Sequence, residues 1–458
     1  MEIKQKPTLT LLIISLLNVM LLSIGHAMSS QMLVLGALVV FAASTIISPK
    51  GNFLPLMLFY LPWSPVLKLM PNTFTFSTLV VPIVFLSLIL EGLNNERNYK
   101  IEHLVLPLFF MAYTLLVKLW NALPIEMPYL FFMMMMFFIP IYARRYKEAI
   151  CFERCVLFLT AGVLSACLAA QILMNYPHML QYIVVDNSEG MGVNRLSGFY
   201  GDANYYSAHI LVAIAALLTV LGKTKKKSLI ALQIGLIVAL TYFGMLSVSK
   251  MFILCFVSLA ALWVFNLLLE KRSIRYKLAV IVAVAVIVGI VVASNLFSEQ
   301  INLYLIRFGV VSDTRTLTTG RIDLWGVYLN YLVSNTDKLF LGIGLSQDQV
   351  GLLLKTNNAH NTLIEIVYQL GIIGSLFMVW WWKRLYVELA DKIHMGLSKW
   401  GYFLLMTVAV VLPWFALDIL FFDEFFYFIL LLILSRKYLS ESTNGYRGID
   451  NNQRSGRS

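Results

Sequence analysis

Apolar runs of about 20 residues, each long enough to cross the hydrocarbon core of a bilayer, recur along the whole chain. Fourteen candidate spans are read, at roughly 8–24, 31–48, 53–70, 75–91, 103–120, 127–142, 155–174, 204–222, 228–246, 251–269, 277–294, 361–382, 401–417 and 420–435. Backbone inside lipid has no water to bond, so such runs must fold as helices. The expected fold class is an all-α polytopic membrane protein of about 12–14 transmembrane helices, with one long outer loop carrying an amphipathic helix. Composition agrees: 13% of residues are charged, against about 25% in a soluble domain. The weakest run is 53–70, where Pro55, Pro62 and Pro65 suggest a broken or interfacial helix. The first run follows Lys4 and Lys6 like a signal peptide, but no small-residue cleavage site follows it, and it is read as an uncleaved first span.

Charge tests this map. With the N-terminus inside and the spans alternating, 26 of the 35 basic residues fall on the inner side, as the positive-inside rule expects. Dropping the 53–70 run alone would flip everything before it, which favours keeping it. Both termini are then cytoplasmic, and the net charge of +11 is a topology signal rather than a footprint for nucleic acid. The expected organisation is N-terminal helices over 1–174, an outer loop over 175–203, helices over 204–294, a large outer loop over 295–360, helices over 361–437, and a polar, disordered cytoplasmic tail over 438–458.

The second outer loop leads into the stretch with the most chemical character, Lys355 to Trp382. Thr362 followed three residues later by Glu365 fits a capping box. His360 would then precede a helix N-terminus, which welcomes an anion and biases a nearby imidazole towards its neutral, proton-accepting form. The plain alternative is a polar cap that happens to contain a His. Earlier in the loop, Ile322, Trp325, Leu329 and Leu332 put one apolar stripe on a helix over 321–333, reading as an interfacial helix that Arg321 opens.

Cations on the outer side need a reason, because the topology disfavours them there. Arg195 before span 8, Lys250 in the turn between spans 9 and 10, and Arg321 could meet a lipid-linked diphosphate; Arg does so through its bidentate fork. Lys68, Lys118, Arg307, Lys338 and Lys355 read instead as snorkelling or solvated, and Arg315 is open. His209 and Glu365 fall one turn inside their spans; His209 is either functional or a satisfied packing residue. Asp202 and Asn204 can cap span 8 or meet a substrate hydroxyl, and Asn361 adjoins His360. Cys151, Cys155, Cys167 and Cys255 lie in or beside apolar runs, which indicates neither a disulfide framework nor a metal site. There is no Walker loop, no His-Glu-x-x-His and no paired-Asp metal motif.

In order and spacing, Gly-Phe-Tyr-Gly-Asp-Ala-Asn-Tyr-Tyr-Ser, Leu-Ser-Val-Ser-Lys, Thr-Gly-Arg-Ile-Asp-Leu-Trp and Ala-His-Asn-Thr-Leu-Ile-Glu…Leu-Gly-Ile-Ile-Gly resemble the bacterial O-antigen ligase and polymerase family over roughly 192–382. The resemblance implies a helical glycosyltransferase of the bacterial plasma (inner) membrane. It would move glycan from an undecaprenyl-diphosphate carrier on the outer face, with no cofactor or metal. Its partners would be the carrier-linked oligosaccharide, membrane lipids and a chain-length regulator protein. By motif, His360 is the catalytic residue, and Arg321 and Arg195 the carrier-phosphate and transition-state groups, with Lys250, Asn361, Asp202, Asn204 and Glu365 as substrate-binding candidates. The turn ending Ser249-Lys250 departs from the family's frequent Ser-Arg, keeping the charge and losing the fork. A polymerase is the first reading and a ligase the second. The competing class is a flippase for lipid-linked oligosaccharide, which would show internal repeats and short loops.

Overall fold

The computed structural model describes residues 6–69, 75–93, 102–185, 195–270, 298–309, 311–347, 357–390 and 396–441, with single positions between 273 and 282 and at 354. Among the described residues it is all-α apart from one two-residue strand pair. The first half comprises α1 (Lys6–Ala27), α2 (Gln31–Ile47), α3 (Phe53–Tyr60) with the 3-10 turn Leu61–Val66, α4 (Phe76–Leu93), α5 (Glu102–Trp120), α6 (Met127–Tyr146) and α7 (Phe152–Leu173). A short α8 (Leu180–Ile183) and the antiparallel pair β1 (Val184–Val185) and β2 (Arg195–Leu196) lead to α9 (Ala203–Leu221), α10 (Lys227–Met245) and α11 (Lys250–Leu269). Four helices then lie along one face: α12 (Ser298–Gly309), α13 (Thr314–Leu317), α14 (Arg321–Ser334) and α15 (Thr336–Leu341). The chain closes with α16 (Thr362–Leu389), α17 (Leu397–Val411) continued by the turn Leu412–Ala416, and α18 (Asp423–Glu441). Helix α18 thus runs past residue 438, where a disordered tail is expected; 442–458 lies outside the described residues.

Eight helices among the described residues are long and apolar enough to cross a membrane, and α2, α4 and α5 are shorter apolar helices. The protein is therefore a polytopic helical membrane protein. Side-chain contacts sort the helix ends into two faces. On one, Arg145 pairs with Glu91 at 3.4 Å, Lys437 with Glu148 at 3.4 Å, and the Tyr402 hydroxyl donates to Glu270. On the other, His26 meets the Val66 carbonyl, the Tyr200 hydroxyl meets that of Leu61, and Thr362 donates to that of Leu417. Helix α11 ends at the first face and α12 packs at the second; the expected span 277–294 falls between them and, apart from Lys277, Leu278 and Val282, lies outside the described residues.

The weak third run is a broken helix, and it is buried rather than interfacial. Arg154 donates to Asn52 at one end of α7 and Trp63 donates to Ser165 further along, so the segment runs beside α7 through the protein. Its prolines are tolerated because neighbouring helices enclose it. The close approach rests on Gly162, where a Cβ would sit 2.1 Å from the Phe59 carbonyl oxygen.

A second break positions the site. Helix α16 is interrupted at Gly371 (φ 64°, ψ −176°). The freed carbonyls of Tyr368 and Gln369 accept from the N–H groups of Ile343 (3.0 Å) and Gly344 (2.9 Å). Other side chains seize the same segment: Lys118 donates to the Leu345 carbonyl, and the Ser346 hydroxyl donates to Glu126 at 2.8 Å. Lys118 is fully buried with its ammonium 5.0 Å from the Tyr129 ring centre, so the snorkelling reading of Lys118 is overturned. A buried ammonium needs such partners. Lys338 likewise bonds Asn121 and pairs with Asp337, whereas Lys355 lies outside the described residues.

Candidate active site

The site forms where α16 begins. Its N-cap is Asn361, whose side-chain oxygen accepts from the N–H groups of Leu363 (3.1 Å) and Ile364 (3.2 Å). The expected Thr362–Glu365 capping box does not form. The Thr362 hydroxyl is engaged by the loop after α17, donating to the Leu417 carbonyl and accepting from the Ile419 N–H. Glu365 turns inward, is buried, and accepts from the Gln369 amide at 3.1 Å. Asn is among the best N-cap residues, so the helix start survives this one-residue reassignment.

His360, one residue earlier, adopts a left-handed backbone (φ 47°). Asp418 holds it there: its two carboxylate oxygens accept from the N–H groups of His360 (3.0 Å) and Asn361 (2.9 Å), and Oδ2 lies 3.4 Å from His360 Nδ1. In a neutral ring, a carboxylate beside Nδ1 favours the proton there and leaves Nε2 free to accept. The imidazole is 42% exposed and the carboxylate 13%, so the ring faces outward and the carboxylate lies behind it. Burial raises the Asp418 carboxyl above the usual range, against the pull of His360, the Asn361 and His360 amides, and Arg321.

Arg321 enters this set through α14. Gly320 (φ 76°) turns the chain into the helix, Trp325 donates to the Ala359 carbonyl at 3.0 Å, and the Tyr328 hydroxyl donates to that of Asn357 at 3.0 Å. Tyr328 also packs edge-on against Tyr368, with centroids 4.9 Å apart. The helix is thus stitched to the strand leading into His360, which brings Arg321 into electrostatic range of Asp418. The stripe read as interfacial is corrected in part. Leu332 and Tyr328 are buried against α16, while Ile322 and Leu329 stay exposed. Arg315 is exposed and pairs with Asp323.

A second group gathers on the turn before α11. Ser249 caps that helix, accepting from the Phe252 N–H and donating to Asn204 Oδ1 at 2.7 Å. Arg195 Nε donates to the Ser247 carbonyl at 3.2 Å, and Arg307 of α12 donates to that of Val248. Arg307 is 4% exposed, so the solvated reading of Arg307 is overturned: α12 lies across the turn and buries it. Burial pushes the nearby Tyr304 phenol up to about 12, with Arg195 and Arg307 opposing. Lys250 is the first residue of α11. A cation at a helix N-terminus opposes the dipole, and an anion placed there relieves both.

Helix α9 joins the two groups. Asp202 caps it, accepting from the Asn204 N–H at 2.6 Å, whereas Asn204 does not cap and instead receives Ser249. The next residue, Tyr205, donates its hydroxyl to the Asp418 carbonyl. One helical turn therefore touches both the cation-lined turn and the His360 support.

The protein-family model described as O-antigen ligase matches residues 235–379. An O-antigen-ligase-like domain thus occupies that part of the chain, consistent with the resemblance read from the motifs. It contains Lys250, Arg321, His360, Asn361 and Glu365, while Arg195, Asp202 and Asn204 lie outside it. No curated protein matches the chain. Among the described residues no cluster of three or more His, Cys, Asp or Glu could hold a metal ion.

Sequence reading missed Asp418, Arg307 and Tyr205. Asp418 had a signal: it is a lone carboxylate in the short turn between two apolar runs. Arg307 had a weaker one, an Arg one helical turn after Tyr304. Tyr205 had none.

Proposed function

We propose that this protein is a glycosyltransferase that moves glycan from an undecaprenyl-diphosphate carrier to an acceptor on the outer face of the bacterial plasma membrane, with both termini cytoplasmic. The observation that carries the reading is the juxtaposition of an oriented, half-exposed His360 with Arg321 on one side of the α9 start, and Arg195, Lys250 and Arg307 on the other. The family match over 235–379 and the basic-residue asymmetry support it.

In this mechanism an acceptor sugar hydroxyl attacks C1 of the donor's reducing-end sugar. His360 Nε2 takes the hydroxyl proton as the C1–O bond forms. The bond from C1 to the carrier diphosphate breaks, and the departing oxygens gain negative charge that Arg321 and the cations at the 247–250 turn offset. A single displacement inverts the anomeric centre. Asp418 fixes the His360 tautomer and favours the imidazolium that forms. No step calls on a metal, and activity in a chelator tests that.

The acceptor in the first reading is a second carrier-linked repeat unit, which makes the protein a polymerase of O-antigen or capsule type. The second reading is a ligase, the activity named in the matched family's description, with lipid A–core as the proposed acceptor. The glycan of a deletion strain separates them: single repeat units on core mark a lost polymerase, and carrier-linked polymer without transfer marks a lost ligase. Normal surface glycan in that strain overturns both.

A further inference from the structure

A buried polar cluster in the interior of the protein lies next to the site and has no part in the mechanism above. Tyr200, His209 and Glu424 come from the turn before α9, from α9 and from α18. The Tyr200 hydroxyl lies 2.5 Å from Glu424 Oε1, 2.7 Å from the Leu61 carbonyl oxygen and 3.3 Å from His209 Nε2. His209 Nε2 lies 3.2 Å from the same carboxylate oxygen, and the His209 and Glu424 side chains are only 3% and 5% exposed. Groups like these are costly to enclose unless matched to one another.

The proton positions follow from the partners. His209 Nδ1 faces the Tyr205 carbonyl at 2.8 Å, so it carries a hydrogen. Nε2 faces both the Glu424 carboxylate and the Tyr200 hydroxyl.

Its outlet is Tyr205. The His209 Nδ1–H grips the Tyr205 backbone, and the Tyr200 and Tyr205 rings stack with centroids 5.7 Å apart and planes within 5°. The Tyr205 hydroxyl donates to the Asp418 backbone carbonyl, and the Asp418 carboxylate holds the two amides and the imidazole of the His360 turn. We propose that Glu424, His209 and Tyr200 form a positioning device for this site, fixing Tyr205 and through it the loop that presents Asp418 to His360. The proposal rests on the reading of His360 as the base. It does not make the cluster a proton path, since the half-exposed imidazole can return its proton to water directly.

The test uses the full-length protein, purified in detergent, with a carrier-linked repeat unit as substrate. Glu424→Ala removes the keystone and is expected to lower kcat by about 10–100-fold, as a displaced reacting group does, with KM for the donor little changed. Glu424→Gln is expected to restore most of the rate. Its amide can donate to both Tyr200 and a neutral His209 Nε2 while Tyr200 donates to Leu61, so every polar group stays matched. Tyr205→Phe keeps the ring stack and removes only the hydroxyl on Asp418, and it is expected to reproduce the kcat loss if Glu424→Ala does not accumulate. In an Asp418→Asn background either change should cost little more, because both act through that residue. Parent kcat in both Glu424→Ala and Tyr205→Phe overturns the proposal, as do losses that multiply with Asp418→Asn. A Glu424→Gln protein as inactive as Glu424→Ala overturns it in favour of proton transfer. Failure of the His360 reading is seen separately, as a His360→Gln protein that turns over at the parent rate.

Discussion

At the scale of single residues, the proposed mechanism gives the chemistry to His360 and its orientation to Asp418. A general base contributes about 10²–10⁴-fold in rate, so His360→Ala and His360→Gln should each abolish polymer output while immunoblots show near-normal protein. Arg321→Lys keeps the charge and loses the fork; impaired transfer in a purified assay is the expected outcome if it grips diphosphate bidentately. Lys250→Arg should retain or raise activity by restoring a fork. Asp418 adds a pH signature. Its raised carboxyl binds a proton more tightly folded than unfolded. The stabilisation this group contributes is fully present below its unfolded value of about 3.9 and is lost as pH rises through the raised folded value. Melting temperatures in detergent should therefore carry a component that falls with rising pH across that window, and Asp418→Asn should remove it.

At the scale of elements, the two broken helices carry the arrangement. The break in α16 lets the segment after α15 bond into the helix, and that segment contributes Ile343 to the small core with Tyr328, Leu332, Ala359 and Tyr368 beneath the His360 turn. A Cβ on Gly342 would lie 2.3 Å from the Gln369 carbonyl oxygen, at a residue with φ 76°. Gly342→Ala must therefore displace the docked segment, with a destabilisation of at least about 1–3 kcal/mol from backbone strain alone. Thermal melting of the purified variant is expected to show a lowered midpoint, together with reduced transfer. The buried Lys118 belongs to the same joint, which ties the α5–α6 hairpin of the N-terminal half to a segment inside the family-matched region.

At the scale of the whole molecule, the alternation of helix ends between two faces follows from contacts, and the proposed assignment of those faces to cytoplasm and exterior rests on charge. The site face should be the outer one. A Cys placed at Ser312 should react with an impermeant thiol reagent in intact cells, and one placed at Thr224 only after permeabilisation; the reverse pattern would invert the protein. The same face gathers Arg195, Lys250, Arg307, Arg321 and His360 from separate segments, a concentration of cations that suits a dianionic diphosphate at a membrane surface.

The sequence by itself determined the properties that sum over a local window. Twenty apolar residues make a span, a run of prolines breaks one, and basic residues accumulate on one side; each is a partition between lipid and water that needs no knowledge of neighbours. It also singled out His360, Arg321, Arg195 and Lys250 as ionisable groups where the pattern disfavours them. Only the tertiary structure decided which of these meet and through what. Asp418 is 57 residues from the Asn361 amide it holds, and Glu424 is 224 residues from the Tyr200 hydroxyl. The cap moved from Thr362 to Asn361 because the 417–419 loop claims the Thr362 hydroxyl. Arg307 and Lys118 are buried because other helices bring carbonyls to them. Hydropathy records what each side chain would do in water or lipid, whereas a buried charge or hydroxyl is set by the one partner that reaches it, and that partner is chosen by packing across the bundle.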